Sequence, residues 1–297
     1  MANVDYKLLQ ALATVIEEQS FERAANALFI TQSAVSQRIK QLEQNVAQPV
    51  LIRTQPLRAT EVGKKLIKHY HQVMQLEAEL LPDIAPDDPQ SPITIHLATN
   101  ADSLATWLIP ALAPTIKRHL IEINMLVADE QHTIEKLKDG EAFGAISLQE
   151  HPVKGCQMTR LGDMNYILVA SPEFRDTYFK TGINRDSLRL APGIAFDQKD
   201  NMHIRFIEQH YGLKERDYPL HTVRSSEAFI TMAKYGAAYC LAAELQIKEE
   251  LASGALVNLL PDYKWVQTLY WHHWILLKGI HKTISNVILE QGQAVLD

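Results

Sequence analysis

Six polar side chains near the amino end have the types and spacing that read a DNA groove. Gln32, Ser33, Ser36, Gln37, Arg38 and Lys40 decorate one segment whose other side repeats Val35, Ile39, Leu42 and Val46 at steps of four, three and four. That period is helical, and Thr31 is suited to cap the helix start. Short hydroxyls and amides at a helix start reach base edges in a major groove, where Gln pairs bidentately with adenine. Arg38 and Lys40 can neutralise flanking phosphates, and the helix amino end adds its positive dipole. A different chemistry gathers at Thr99-Asn-Ala-Asp-Ser103, between a strand-like and a helix-like stretch. Such a junction offers backbone N–H groups and a dipole to a carboxylate, and Asn100 and Ser103 add neutral donors. Ser225-Ser-Glu227 makes an equivalent junction further on, with Ser226 at its centre, and Ser147 ends a strand facing the same opening.

The elements that must hold the first group are short and local. A first helix buries Leu8, Leu9, Leu12, Val15 and Ile16. Ser20 caps a second that presents Phe21, Ala24, Ala25 and Leu28, and the paired alanines let another helix cross closely. Phe29-Ile-Thr31 turns tightly into the third. From Pro49 to Thr60 a short hairpin follows, with Arg53 and Arg58 near its tip, a wing placed to touch backbone or minor groove. A generic three-helix bundle would show the polar face alone; cap, small-residue crossing, tight turn and basic wing together favour DNA.

From Thr60 to Leu80 the chain reads as one long helix, with apolar Val62, Leu66, Tyr70, Val73 and Leu80, and Glu77 off the pattern. The simplest partner for that stripe is its twin in a dimer; packing on its own head is the alternative. Leu81 to Pro92 holds four prolines, a density that forbids helix and favours an extended connector. Beyond it strands and helices alternate, the pattern of parallel sheet with crossover helices. The strands expected include 93–99, 121–127, 143–148, 166–170 and 265–271. The whole is therefore an α/β chain. A winged helix-turn-helix spans 1–60, a linker helix and connector 61–91, and a two-lobed effector domain 92–297. One lobe takes about 92–163 and 268–297, the other about 164–267, with hinges near Leu161–Ile167 and Lys264–Leu269. A cleft between such lobes is where ligands of open sheets sit.

Composition narrows the classes. The chain has 297 residues, 46% hydrophobic and 22% charged, which is globular and not disordered. Its formal net charge of −6 argues against a coat of nucleic acid. Residues 1–64, however, carry seven Lys/Arg against six Asp/Glu, so the balance of +1 lies where a polyanion would bind. No apolar run is long enough for a membrane span and no secretory core opens the chain, so a cytoplasmic protein is expected. Cys156 and Cys240 form no C-x-x-C pair and read as packing residues. Neither a G-x-G-x-x-G nor a Walker loop is present, and no cofactor is expected. Trp271-His-His-Trp274 invites a metal, but neighbouring strand residues face opposite ways and no third ligand is suitably spaced, so these read as surface or interface histidines. Glu249-Glu250 reads as a solvated helix face, so no enzyme is expected.

The run Ser20-Phe-Glu-Arg-Ala-Ala-Asn-Ala-Leu-Phe-Ile-Thr-Gln-Ser-Ala-Val-Ser-Gln-Arg-Ile-Lys-Gln-Leu-Glu43, followed by Leu51-Ile-Arg53 and Ala59-Thr-Glu-Val-Gly63, resembles the winged helix-turn-helix of LysR-type transcriptional regulators. The resemblance extends over essentially the whole chain. Through the stretches 99–114, 225–229 and 251–254 it is similar to family members that respond to lysine and arginine. The resemblance implies a homodimer or dimer-of-dimers homotetramer on double-stranded operator DNA, working with RNA polymerase. A small effector would adjust its contacts, and amino-acid export and related metabolic genes would be its targets. A basic amino acid in the cleft would need anions, and Asp102, Asp129, Glu130, Asp197 and Glu227, all at expected strand ends, are the candidates. Each also suits a helix cap or first turn. Nothing in their spacing separates lysine from arginine. The alternative is an architectural chromosome-binding protein that affects replication initiation and ignores amino acids.

Overall fold

The computed structural model describes residues 5–84, 92–128, 132–196 and 201–296. Its head begins with α1 (Tyr6–Glu18), α2 (Phe21–Ala27) and α3 (Gln32–Val46). Each starts at a side chain that accepts a first-turn amide: Asp5 from Lys7, Ser20 from Arg23 and Thr31 from Ala34. These caps satisfy amides that a helix start otherwise leaves open. Leu8, Leu9, Leu12 and Val15 of α1 meet Ala24 and Ala25 of α2 and Val35, Ile39 and Leu42 of α3 in one core. Ile16 packs at its margin, half-buried. The wing is the antiparallel pair β1 (Leu51–Ile52) and β2 (Arg58–Ala59), with Leu51 opposite Ala59 and Ile52 opposite Arg58. Val50, Leu51 and Leu57 tie it into the same core.

The linker helix α4 (Glu61–Ile84) has 24 residues, about 36 Å at the usual helical rise. Thr60 caps it, its Oγ1 accepting the Gly63 amide at 3.1 Å. The helix runs past the expected end and takes in Pro82; in a last turn a proline removes only one backbone hydrogen bond. Its apolar stripe divides. Val62, Leu66, Ile67 and Tyr70 pack on the head core, while Leu76 and Leu80 stay exposed. The first half thus has its partner within the chain, and the exposed large apolar residues described on α4, Leu76 and Leu80, lie in its second half.

The effector domain opens with β3 (Ile93–Thr99), which leads into α5 (Ala101–Ser103), a π-helical turn (Leu104–Leu108) and α6 (Ile109–Arg118) without a break. Then come β4 (Ile121–Val127), α7 (Thr133–Lys138), β5 (Gly144–Ser147) and the 15-residue β6 (Cys156–Ala170). The second lobe adds α8 (Pro172–Tyr178), α9 (Arg185–Leu190), β7 (Gly193–Ala195), α10 (Asn201–Tyr211), β8 (Leu220–Thr222), α11 (Ser226–Lys234), β9 (Cys240–Ala243), α12 (Lys248–Ser253) and β10 (Val257–Asn258). The chain returns through β11 (Trp265–Trp274) and ends in α13 (Gly279–Val295).

The sheet is mixed, where sequence alternation alone suggested parallel. β3 is parallel to β4 and β5, but β11 is antiparallel to β5 and β6, and β6 to β9 and β10. The cause is that β6 and β11 run side by side through both lobes, so one sheet in the order β10-β6-β11-β5-β3-β4 spans them, with β9 also on β6. β6 starts ten residues before the expected 166, because 156–165 lacks a clean alternation. Where the two long strands cross between lobes their register slips, between Leu269 and Tyr270. Gly162 faces that slip with φ +150°, and a Cβ there would collide with the Leu296 carbonyl oxygen. A bulge of this kind locally bends and twists the strands that carry it.

Candidate nucleic-acid interface and effector cleft

On α3 the buried Val35, Ile39 and Leu42 turn the other side of the helix outward. Gln32, Ser33, Gln37 and Lys40 are exposed, and Ser36 is half-buried beside them. Arg38, three residues on from Val35, sits half-buried at the margin of the core. Ser33 Oγ lies 2.9 Å from the capping Thr31 Oγ1, so its hydroxyl is already oriented at the first turn. In the wing both Arg53 and Arg58 are exposed. The Arg53 guanidinium rests over the Phe21 ring, 5.6 Å from its centroid, which holds the cation beside α2. Arg53→Ala is expected to weaken binding to every duplex by a similar factor and to flatten the salt dependence by about one counterion in a log–log plot of affinity against salt. Titrations at several salt concentrations check this, and an unchanged slope would remove Arg53 from the phosphate contacts.

In the effector domain the residues at the two helix starts have separate fates. Asn100 immediately precedes α5 but makes no side-chain cap. Asn100 Nδ2 and Oδ1, Ser103 Oγ and Ser226 Oγ are buried without a hydrogen bond among the described residues. An unsatisfied buried polar group costs roughly 1–3 kcal/mol, so a polar ligand that met them would recover that cost. Ser225 is committed instead: its Oγ accepts the Ala228 amide at 3.2 Å and donates to Glu227 Oε2 at 2.8 Å. Glu227 is exposed, so this pair is a helix cap. Ser147 is buried at the end of β5 and accepts the Gln149 amide at 3.2 Å. Asp129, Glu130 and Asp197 lie outside the described residues.

Asp102 is the acid the fold holds in place. Tyr166 of β6 donates its hydroxyl to Asp102 Oδ2 at 2.8 Å, and Tyr166 pairs with Ala243 of β9. A carboxylate from the first lobe is thereby fixed to the strand that crosses into the second. The Cys240 thiol is pushed up to about 12, chiefly by burial and then by the nearby Asp102 charge. It is inert packing. The π-helical turn next to Asp102 also lies against the 3-10 turn Glu244–Gln246 of the second lobe. Turns of this type recur at functional sites. Tyr166 was hidden in the sequence because it begins an apolar strand, where its ring reads as core.

A contact that the sequence did not signal joins head, linker and effector domain. His71 of α4 places Nε2 3.2 Å from Glu17 Oε1 of α1 and Nδ1 2.6 Å from the Gly140 carbonyl. Both neighbours accept, so the arrangement favours the protonated ring, which can donate from both nitrogens. Burial pulls its pKa down, but the Glu17 carboxylate and the Gly140 carbonyl outweigh that and leave it raised above 6.5. Glu17 is lowered below 4.5, first by the hydrogen bond from His71. The neighbouring His96, stacked at 6.3 Å, is lowered by burial and by the His71 charge. Its Nδ1 faces Asn124 Nδ2 at 3.2 Å. Glu141 also acts on both histidines, Tyr70 lies beside the group, and Lys68 passes so close to Gly140 that a Cβ there would meet the Lys68 Cα at 2.5 Å. One turn earlier Lys64 pairs with Asp139 at 3.0 Å.

The sign of the pH effect follows. The raised His71 contributes fully below 6.5 and is lost as pH rises through its higher folded value. The lowered Glu17 contributes above 4.5 and is lost as pH falls through its lower folded value. The head-to-effector contact is therefore expected to loosen above neutral pH. Amide exchange at residues 137–141 followed from pH 6 to 9, after correction for intrinsic rates, should speed up in the native chain and stay flat in Glu17→Gln. Equal profiles in both would refute the ion pair.

Trp271-His-His-Trp274 proves to be interior, not surface. Trp271 and His272 are fully buried and His273 nearly so. The Trp271 indole donates to Ser285 Oγ at 2.8 Å. His272 Nε2 meets the Gln149 carbonyl at 2.8 Å and His273 Nδ1 the Trp274 carbonyl at 2.7 Å. Burial lowers the pKa of both, which keeps them neutral in the sheet. The β5–β11–β6 sheet sandwiched by α7 and α13 buries them, a setting that an isolated four-residue motif does not reveal. Among the described residues no group of three His, Cys, Asp or Glu is placed to hold a metal ion, and no helix is long and apolar enough to cross a membrane.

A capped helix with an outward polar face, a basic wing and a two-lobed domain with polar helix starts define a DNA-binding regulator with an attached ligand-sensing domain. Residues 6–64 match the family model for bacterial regulatory helix-turn-helix proteins of the lysR family, and residues 90–276 match the LysR substrate binding domain. The chain belongs to the LysR family of transcriptional regulators. It is 54% identical to the HTH-type transcriptional regulator ArgP of Aeromonas salmonicida over 296 residues, 100% of this chain and 99% of that one. Among solved structures it is similar to ArgP from Mycobacterium tuberculosis, with TM-score 0.83, 31% identity and 99% of each chain covered. It is also similar to LysG from Corynebacterium glutamicum with bound effector Arg, with TM-score 0.76, 28% identity and 99% of each chain covered.

Proposed function

We propose that this chain is an ArgP-type regulator whose grip on operator DNA changes when a basic amino acid, arginine or lysine, enters the cleft between its lobes. The observation that carries the reading is the set of open polar groups beside a fixed carboxylate. Asn100, Ser103 and Ser226 are buried and unsatisfied among the described residues, and Asp102, which lies between the first two in sequence, is held by Tyr166. In this reading Asn100, Ser103 and the amides at the start of α5 receive the ligand carboxylate. Ser226 closes from the second lobe, and Asp102 pairs with an ammonium or guanidinium. The names of the relatives, and the arginine in the LysG structure, support the same ligand class.

The remaining parts take consistent roles. Residues 1–60 bind DNA through Gln32, Ser33, Ser36, Gln37 and Lys40, with Arg53 and Arg58 on the backbone and Arg38 at the flank. Residues 61–91 pair two copies, Leu76 and Leu80 being the open apolar positions on α4. Residues 92–297 sense the ligand. Dimers or tetramers of the chain would then act with RNA polymerase on amino-acid export and related genes. Calorimetry of the full chain against the common amino acids tests the ligand class. Binding of arginine or lysine but not of citrulline, the uncharged analogue, is expected; equal heats with citrulline would dismiss the carboxylate–cation pairing.

A further inference from the structure

Phe29 stands at an unusual place in the head. The α2 helix ends in a paired closure: the Ile30 amide donates to the Ala25 carbonyl at 3.0 Å and the Phe29 amide to the Asn26 carbonyl at 3.2 Å. That closure requires a left-handed residue after the helix, a position where glycine is the default and asparagine the usual substitute. Here it is Phe29, with φ +54°. Only two other non-glycine residues of the described chain have positive φ, Gln19 and Ala47. Gln19 uses its side chain within the fold, donating to the Ile16 and Leu57 carbonyls at 2.7 and 3.1 Å, and Ala47 has almost no side chain to place. Phe29 is 95% exposed. Its ring contributes nothing to the head core, yet the backbone bears the strain of a bulky left-handed residue.

The location supplies a reason. Phe29 lies two residues before Thr31, the cap of α3, and three before the exposed Gln32. In a helix-turn-helix the first turn of the second helix enters the major groove, so the residues just ahead of it lie over the groove rim. The apolar groups a duplex offers there are thymine C5-methyls and deoxyribose carbons, and phenylalanine is among the side chains that meet the methyl. We propose that Phe29 extends the DNA interface of this regulator, its ring covering an apolar edge of the duplex beside the bases read by α3. The strained turn holds the ring out for that contact.

The test separates this role from a structural one because the two predict opposite changes. The full chain is titrated, by fluorescence anisotropy, with a duplex selected from a random pool by the native chain. Phe29→Asn is expected to weaken binding about tenfold, while the thermal midpoint stays equal or rises because asparagine accepts the left-handed conformation. Phe29→Tyr should keep the affinity. Replacing thymine by uracil along the duplex then identifies the contact. A position that weakens the native chain but not Phe29→Asn marks a base methyl, and no such position marks the sugar; either supports the contact. Affinity of Phe29→Asn within about twofold of native would overturn it, as would a midpoint that falls in parallel with affinity. A changed oligomeric state at unchanged affinity would overturn it too, by assigning the ring to another copy of the chain.

Discussion

Asp102→Asn is expected to weaken binding of arginine or lysine by about 2 kcal/mol, roughly thirtyfold, since a charged ligand group would lose its half-buried partner. The substitution is nearly isosteric, and its amide oxygen can still accept the Tyr166 hydroxyl now 2.8 Å from Oδ2. The cleft should therefore keep its shape, and the thermal midpoint without ligand should barely move. The loss should be selective: any residual affinity for uncharged amino acids should survive, because Asn100 and Ser103 are untouched. Calorimetry on native and variant chains with arginine and citrulline measures this directly. Arginine binding within about threefold of native would place the cation elsewhere. Tyr166→Phe offers a graded companion, since it removes one hydrogen bond to Asp102 without removing its charge.

Gln37→Ala combined with Ser33→Ala is the second large effect, this time at the DNA. Both side chains are exposed on the face of α3 opposite Val35, Ile39 and Leu42, and their removal costs the head no packing. Loss of a bidentate base contact is expected to reduce affinity for a selected operator by about 1–3 kcal/mol. Affinity for random-sequence DNA, which depends on phosphate contacts, should change little. The readout is the ratio of the two dissociation constants at one salt concentration. An equal loss on both duplexes would mean that this face touches backbone only. The contrast with Arg53→Ala, which should act on all sequences, makes the pair of variants a division between reading and holding.

What the sequence disclosed and what it withheld divide along local and long-range lines. Thr31, Ser20 and Thr60 could be assigned as caps because a cap and the amide it accepts are two or three residues apart. The core face of α3 could be assigned for the same reason. The second half of β6 was legible through Tyr166-Ile-Leu-Val-Ala170, but its first half was not, since its residues depend on pairing with β11 more than one hundred positions away. That pairing is also why the sheet is mixed. Asn100 and Ser103 stood out in the sequence because chemistry and junction coincide there, and their polar atoms are buried and unsatisfied among the described residues. Ser225 and Glu227 read both as ligand groups and as a helix start, and in the fold they bond to each other across two residues. His71 gave no signal at all. Its partners come from α1 and from the turn after α7, 54 residues before it and 69 after it, and only the fold brings them together.

The contact around His71 also bears on how a ligand in the cleft could reach the DNA. The effector domain touches α4 at Gly140, and α4 touches the head at Glu17 and through Ile67 and Tyr70. A change in the lobes that shifted the turn after α7 would therefore be felt by the helix that positions the head. Coupling of this kind requires the ligand to favour one arrangement over another, and by linkage DNA would in turn change affinity for the ligand. The most direct measurement is the affinity of the full chain for a selected operator duplex, with and without saturating arginine, lysine and citrulline at constant salt. A shift with arginine or lysine, absent with citrulline and lost in Asp102→Asn, is the expected result. Superimposable binding curves in all four conditions would contradict a regulator that answers to a basic amino acid.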